Sequence, residues 1–414
     1  MNSAFRNTNP KNGSLSQSPT SRSRRQFVLE TLFAAAAFEI IPSGFAQGAS
    51  RQIKLGVVGN GGRGSWIAQL FKQNGGFEMH AVADYFPEVA DKCGENLGVP
   101  QTRRFSTLSG FKRLLESGVE AVALEVPPYF LPEYAAAAVE AGVHVYMAKP
   151  AAVDVPGALK VLAAGKKATE KKLCFMVDYQ MPTDPVNIEV QKKIRTSGFG
   201  KIVHVWTTGL TTGFIDPPGN LESRLRNLTW VNDTAMGCGY IGNYDIHAID
   251  AALWAIGEVP IGASGNSRVS RVSPHGDAHD VCSVLFDYPG GVIHSHFGEA
   301  LNNKLPGELS CQIHGTTGHA LLNYWGKSSF RSFDDAMEGE VANLYEAGAN
   351  RNISTFYKNV IEGHFENGTV QRSVDGVLAC VLGREAGLRQ TRLTMETLLK
   401  ENKKLDVDLS GLKA

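Results

Sequence analysis

Ile53-Lys54-Leu55-Gly56-Val57-Val58-Gly59-Asn60-Gly61-Gly62-Arg63-Gly64 is the stretch on which the fold turns. Its first six residues form a short, mostly apolar run ending in glycines, the pattern of a strand buried on both faces of a parallel sheet. The glycine-rich turn then opens a helical pattern through Trp66–Lys72. Strand-like runs recur at Glu78–Ala83, Ala121–Val126, Val143–Met147 and Leu173–Val177, with helical patterns at Tyr134–Glu140 and Pro156–Thr169. Strands alternating with helices predict right-handed crossovers and a doubly wound parallel sheet, here an α/β domain over residues 51–177.

The glycines have separate physical roles. Gly59 permits a tight turn, Gly61 lets the backbone approach a pyrophosphate, and Gly64 lets the helix pack closely on the strand. A helix N-terminus adds free N–H donors and partial positive charge. Asp84, at the end of the next strand, stands where a carboxylate accepts hydrogen bonds from both adenosine ribose hydroxyls. The segment therefore predicts a Rossmann domain with Gly59, Asn60, Gly61, Gly62, Arg63, Gly64 and Asp84 around a dinucleotide. The carboxylate would repel a 2′-phosphate, which favours NAD over NADP; a flavin is a weaker competitor. Arg63 reads equally as a pyrophosphate contact or a solvated side chain.

Beyond Asp178 the pattern changes. A helix over about Asp184–Thr196 leads to an alternating strand at Lys201–Thr208, and Val281–Tyr288 with Gly291–Gly298 reads as a hairpin about Pro289-Gly290. Strands without intervening helices predict a mainly antiparallel sheet open on one face. Residues 178–414 are thus expected to be an α+β domain that binds substrate and offers its open face to a homo-oligomer. Basic and acidic residues both number 41, so no global field attracts nucleic acid. The six cysteines show no zinc-ligand spacing and read as small buried hydrophobes. His294 and His296 share one strand face. No third ligand is recognisable near them, or near His275, His279 and His314, and no metal is predicted.

Residues 1–50 differ from the rest. A Ser-, Asn- and Arg-rich start with no acid before Glu30 leads through Ser23-Arg24-Arg25-Gln26-Phe27-Val28 to the Ala-rich run Leu32–Ala37. This is similar to a twin-arginine export signal, with small residues near Ala46 or Ala49 for cleavage. Glu30 and Glu39 argue against a membrane-spanning helix. The expectation is a periplasmic or otherwise exported protein, carried by the twin-arginine machinery, without stable membrane insertion.

Three further segments resemble the Gfo/Idh/MocA oxidoreductase family. Ala141-Gly142-Val143-His144-Val145-Tyr146-Met147-Ala148-Lys149-Pro150 is similar to the segment carrying the family's Glu-Lys-Pro motif, with Ala148 in place of the acid. The resemblance puts Lys149 beside the nicotinamide and the reacting carbinol, where an amine assists loss of the hydroxyl proton. Gly239–Asp250 resembles the family's substrate helix, in which an acid precedes a histidine by four residues; here Asn243 holds that position and His247 follows. On an ideal helix Asn243 and His247 share a face, while Asp245 points about 160° from His247 unless the segment is irregular. The resemblance implies that His247 binds or protonates a sugar hydroxyl, with Asp245 as a substitute carboxylate and Asp250 orienting His247 or capping a loop. After Pro127 the family's usual histidine is absent, and Tyr129 stands there as a pocket or packing residue. Tyr179 and Gln180 at the domain crossover are further substrate candidates, and Trp230 is a sugar platform or a core residue.

Together these readings imply an NAD-dependent oxidoreductase acting on a carbohydrate or polyol, with Lys149 and His247 as the acid/base pair. Export would require a cofactor loaded inside the cell and retained. Two alternatives remain open at this point: a redox-neutral glycosidase that transiently oxidises the ring and eliminates the aglycone, and a non-catalytic sugar-binding protein on the same scaffold.

Overall fold

The computed structural model describes residues 51–414 except 215–218, 227, 273 and 274, so the twin-arginine segment lies outside the described residues. Six strands form the first sheet: β1 Ile53–Val58, β2 Phe77–Asp84, β3 Arg104–Ser106, β4 Ala121–Leu124, β5 His144–Ala148 and β6 Phe175–Asp178. All pair in parallel in the order β3-β2-β1-β4-β5-β6, the doubly wound arrangement of a Rossmann fold. The strand order reverses between β1 and β4, which opens a crevice at their carboxyl ends. β1, β4 and β5 are almost wholly buried, as their apolar runs require.

Nine strands form the second sheet: β7 Ile202–Thr211, β8 Gly262–Arg268, β9 Val281–Asp287, β10 Ile293–Ala300, β11 Glu308–Gly315, β12 Gly318–Asn323, β13 Gly326–Ser332, β14 Ala336–Val341 and β15 Leu393–Thr394. Their order is β14-β13-β12-β11-β7-β10-β9-β8-β15, antiparallel except where β10 runs parallel to β7. The hairpin expected about Pro289-Gly290 is the β9–β10 pair. Alternation along β10 buries His294, His296 and Gly298 inward and leaves Ile293 and Phe297 outward.

Local chemistry sets the helix boundaries. Asp184 caps the helix Pro185–Thr196 by accepting hydrogen bonds from the backbone N–H groups of Val186 and Asn187, at 3.0 and 3.1 Å. Asp154 caps Val155–Glu170 through Gly157, and its second oxygen accepts from the Leu405 N–H, tying down the C-terminal segment. Two late helices return to the first sheet. Leu344–Glu362 packs on the helix Gly62–Asn74, with Phe356 stacked on Phe77 and in edge contact with Phe71. Gly368–Arg389 lies against Val155–Glu170, β6 and β8. Phe356 is fully buried, so truncation to alanine would cost about 3–5 kcal/mol.

Candidate active site

The crevice is a cleft of about 440 Å³ lined by the glycine loop, the ends of β2, β4 and β5, and residues of the second sheet's layer. The glycines divide their work as the sequence predicts. Gly59 has φ +84°, and a Cβ there would lie 2.5 Å from the Glu125 carbonyl oxygen. A Cβ on Gly64 would collide with the Gly59 carbonyl. Gly61 and Gly62 have nothing within 4 Å of where a Cβ would stand, leaving an open floor at the N-terminus of Gly62–Asn74. That floor with its unpaired first-turn N–H groups fits a pyrophosphate.

Asp84 lines one end of the cleft, and its carboxylate accepts from the Asn60 and Phe86 N–H groups at 2.6 and 2.9 Å. Each oxygen can still accept from a ribose hydroxyl. Burial raises its pKa, against the lowering effect of those two donors. Asn60 itself is a correction: it is buried, its amide donates to the Val57 carbonyl, and it does not line the cleft. Its part is to fix the turn and orient Asp84. Pro127 lines the cleft as expected.

At the other end, the Lys149 ammonium donates to the Asn243 backbone carbonyl, and both residues line the cleft with His247. Enclosure lowers the Lys149 pKa to about 7; the Arg63 cation lowers it further, opposed by Asp178 and Glu125. Because Asn243 acts through its carbonyl, an acid at that position is not needed to hold the amine. The His247 ring packs edge-on to Tyr324 at 4.9 Å, and its Nδ1 is buried without a partner. Burial, then Lys149 and Arg63, push its pKa well below 6.5, so the imidazole is neutral at neutral pH. A neutral imidazole and an amine that titrates near pH 7 can exchange a proton with a carbinol between them.

Arg63 lines the cleft, but its guanidinium is already engaged by protein partners. Its guanidinium pairs with Glu125 at 3.0 Å and Asp178 at 2.5 Å, donates to the Tyr345 hydroxyl, and lies over the stacked rings of Trp66 and Tyr345. Gln180 lines the cleft, yet both ends of its amide are occupied: it donates to Asp178 and accepts from Tyr324. It positions those neighbours.

Three expected substrate residues lie elsewhere. Tyr129 packs edge-on to Phe130 and does not line the cleft. Tyr179 is buried behind His247, ring centroids 6.2 Å apart, also outside the lining. Asp245 is the clearest correction. The helix breaks between Gly239–Asn243 and Ile246–Ile256, yet Asp245 still faces away from His247, into the layer beneath the second sheet. Its carboxylate lies over Gly209 and Gly298, a cross-strand pair where a Cβ on either residue would collide with it. There it meets His296 Nε2 at 3.1 Å, and the chain continues through Thr207 and His294 to Tyr288. Asp250 neither orients His247 nor caps a loop, but takes a bidentate grip from Arg372.

Cys282 joins Asp245 and His296, with donor atoms within 4.8 Å of one another, a grouping the sequence did not reveal. Burial pushes the Cys282 thiol well up, and the neighbouring Asp245 carboxylate adds to that, against the lowering effect of the Gly298 backbone N–H. All six cysteines are free. Glu125, Tyr324, Trp325 and Tyr345 line the site without having been expected. Only Glu125 left a trace in the sequence, as a lone acid at the carboxyl end of an otherwise apolar strand run.

Residues 53–179 match the oxidoreductase family with an NAD-binding Rossmann fold, and residues 188–321 match the GFO/IDH/MocA C-terminal domain. The chain is 22% identical over 298 residues to levoglucosan dehydrogenase of Pseudarthrobacter phenanthrenivorans, covering 66% of this chain and 74% of that enzyme. It is 24% identical over 232 residues to inositol 2-dehydrogenase of Rhizobium meliloti, covering 56% of this chain and 63% of the other. Among solved structures, aldose-aldose oxidoreductase from Caulobacter crescentus superposes with a TM-score of 0.68 at 20% identity, covering 83% of this chain and all of that one. Levoglucosan dehydrogenase in complex with NADH and levoglucosan superposes equally well at 18% identity and the same coverage. The chain, with its paired Rossmann and open-sheet layers, belongs to the Gfo/Idh/MocA family of oxidoreductases and binds NAD.

Proposed function

We propose that this protein oxidises a carbinol of a carbohydrate or polyol with an NAD that it retains, using Lys149 and His247 on the reacting C–OH. The observation that carries this reading is the Lys149 amine, with its pKa near 7, facing the same cleft as a neutral His247 and the open glycine floor. When bound, NAD supplies the hydride acceptor. Lys149 takes the hydroxyl proton, which becomes acidic as the C–H hydride departs, and His247 hydrogen-bonds the oxygen or its neighbour. Tyr324 and Trp325 offer aromatic surface for the apolar face of a sugar. The relatives named for levoglucosan and inositol act on polyhydroxylated rings, in keeping with this class.

Retention of the cofactor is supported at the adenosine end. Residues of the second layer reach the cleft: Leu225, Arg226, Leu228 and Trp230 line it, Tyr85 donates to Glu222 of the helix Leu221–Arg226, and Arg226 lies 4.0 Å over the Phe86 ring. Export through the twin-arginine route is part of the same proposal, motivated by Arg24-Arg25 and the apolar run behind them. So is a homo-oligomer through the open sheet face, where Trp206, Leu285, Ile293 and Phe297 are 43–58% exposed.

The test is native purification followed by mass and absorbance measurement of bound nicotinamide, then titration with levoglucosan, myo-inositol, aldoses and aryl glycosides. Growth of the reduced-nicotinamide band on adding one of them is the expected result. Protein that neither retains nor binds NAD refutes the reading, and aglycone release without net reduction would replace it with the redox-neutral glycosidase.

A further inference from the structure

The geometry points to Glu125 as the positioning residue that sets the protonation of Lys149, a carboxylate supplied by the strand next to the lysine's own. β4 and β5 pair with Leu124 beside Met147, so Glu125 and Ala148 leave the sheet side by side, one residue before Lys149. The lysine's own strand offers only a methyl group there. The Glu125 side chain is 1% exposed and lines the cleft. Arg63 Nε stands 3.0 Å from Oε2 as an ion pair, but neither carboxylate oxygen has an aligned hydrogen-bond donor. A buried carboxylate left this way is costly unless a neighbouring charge compensates.

Asp178, the other acid of the cluster, is differently placed. It accepts from Gln180, Asn352 and Arg63. Glu125 has no such set of donors. The groups acting on Lys149 are Arg63 at the glycine loop, Asp178 at the end of β6, Glu125 after β4 and Cys380 of Gly368–Arg389. Lys149 in turn acts on His247 and Asp245. Arg63 repels the ammonium, and the two carboxylates hold it. Burial raises Glu125 to about 7 while enclosure lowers Lys149 to about 7, and each is among the charges acting on the other. An ionised Glu125 keeps the proton on Lys149; a protonated Glu125 releases it. This rests on the reading of Lys149 as the proton-handling group, and its test is independent of any sugar.

The experiment is competitive acetylation with acetic anhydride across pH, read by mass spectrometry on the peptide carrying Lys149, in native protein with its nicotinamide content matched between variants. Because no substrate enters, an inactive protein can pass and an active dehydrogenase can fail. In Glu125→Gln the labelling midpoint should fall by about one pH unit or more, since the anion is lost and the repulsion from Arg63 stays. Glu125→Asp should keep most of the wild-type midpoint. Glu125→Ala combined with Ala148→Glu, which moves the carboxylate one strand across, should bring the midpoint back toward it. A folded Glu125→Gln protein with an unmoved midpoint overturns the assignment. Should that variant fail to fold, Glu125→Ala alone decides: a lowered midpoint supports the assignment, and an unmoved one refutes it.

Discussion

Replacing Gly64 with alanine drives a methyl group into the Gly59 carbonyl, overlapping the oxygen and lying 2.8 Å from the carbon. Carbon atoms in contact stand about 3.5–4.0 Å apart, so the two backbones must separate by roughly 1 Å. Gly59 cannot yield freely, because its N–H is bonded to the Ala83 carbonyl at 2.8 Å and its φ is +84°. The start of the helix must move instead. Overpacking of this kind costs about 1–3 kcal/mol, and a rigid backbone neighbour puts it near the upper end. At roughly 2–4 °C per kcal/mol for large domains, Tm should drop by about 5–10 °C. Gly61→Ala is the internal contrast. Its Cβ meets nothing within 4 Å and its φ of −64° suits alanine, so Tm should stay within about a degree. The methyl group then occupies the pyrophosphate floor, and NAD affinity should fall at least about tenfold. Thermal unfolding by circular dichroism on nicotinamide-stripped protein, with calorimetric NAD titration, separates the two, since bound cofactor would itself raise Tm. A Gly64→Ala protein melting with the wild type, or a Gly61→Ala protein with undiminished NAD affinity, would refute this reading of the loop.

Lys149 is depressed from 10.5 to about 7 on folding, so the unfolded chain binds more protons between those values and stability rises with pH across that window. Lys149→Met should therefore raise Tm most at about pH 6 and least near about pH 10, while turnover falls by at least about a hundredfold; wild-type kcat/KM should rise with pH through about 7. Asp245→Ala leaves His296 Nε2 without its partner and should destabilise by about 1–3 kcal/mol in urea unfolding, with substrate KM unchanged. Arg226→Ala removes the contacts of this side chain with Phe86 and Glu88, and nicotinamide should dissociate several-fold faster, measured by dilution into a scavenger. Trp206→Asp on the open face should shift the sedimentation coefficient toward a monomer without altering NAD content.

Much of the architecture was legible because it is local. The β1 run, the three glycines and Asp84 belong to one strand-turn-helix-strand unit, and each glycine's role follows from backbone sterics within it. The helix from Pro185 and the β9–β10 hairpin carry their own cap and turn. The site was legible only in part. Lys149, Asn243 and His247 do meet at one cleft, but Asn243 contributes a carbonyl that no side-chain pattern reveals. Tyr129 and Tyr179 do not line the cleft: Tyr129 packs edge-on to Phe130, and Tyr179 is buried behind His247. The ideal-helix angle already turned Asp245 away from His247; the break in the helix did not undo it, because two glycines of the facing strands leave the hole its carboxylate fills.

By itself, the sequence determined the parallel sheet, its glycine floor and the preference for NAD, since periodicity, turn chemistry and a carboxylate at fixed spacing act over a few tens of residues. Tertiary structure decided the electrostatics of the site. Arg63 opens the helix Gly62–Asn74, Glu125 and Lys149 follow β4 and β5, Asp178 ends β6, and Asn352 and Tyr345 come from a helix nearly three hundred residues beyond the glycine loop. Their charges have meaning only when burial removes the water between them. A lysine pushed down to about 7 and an arginine held between two buried carboxylates are properties of that assembly, and of no segment alone.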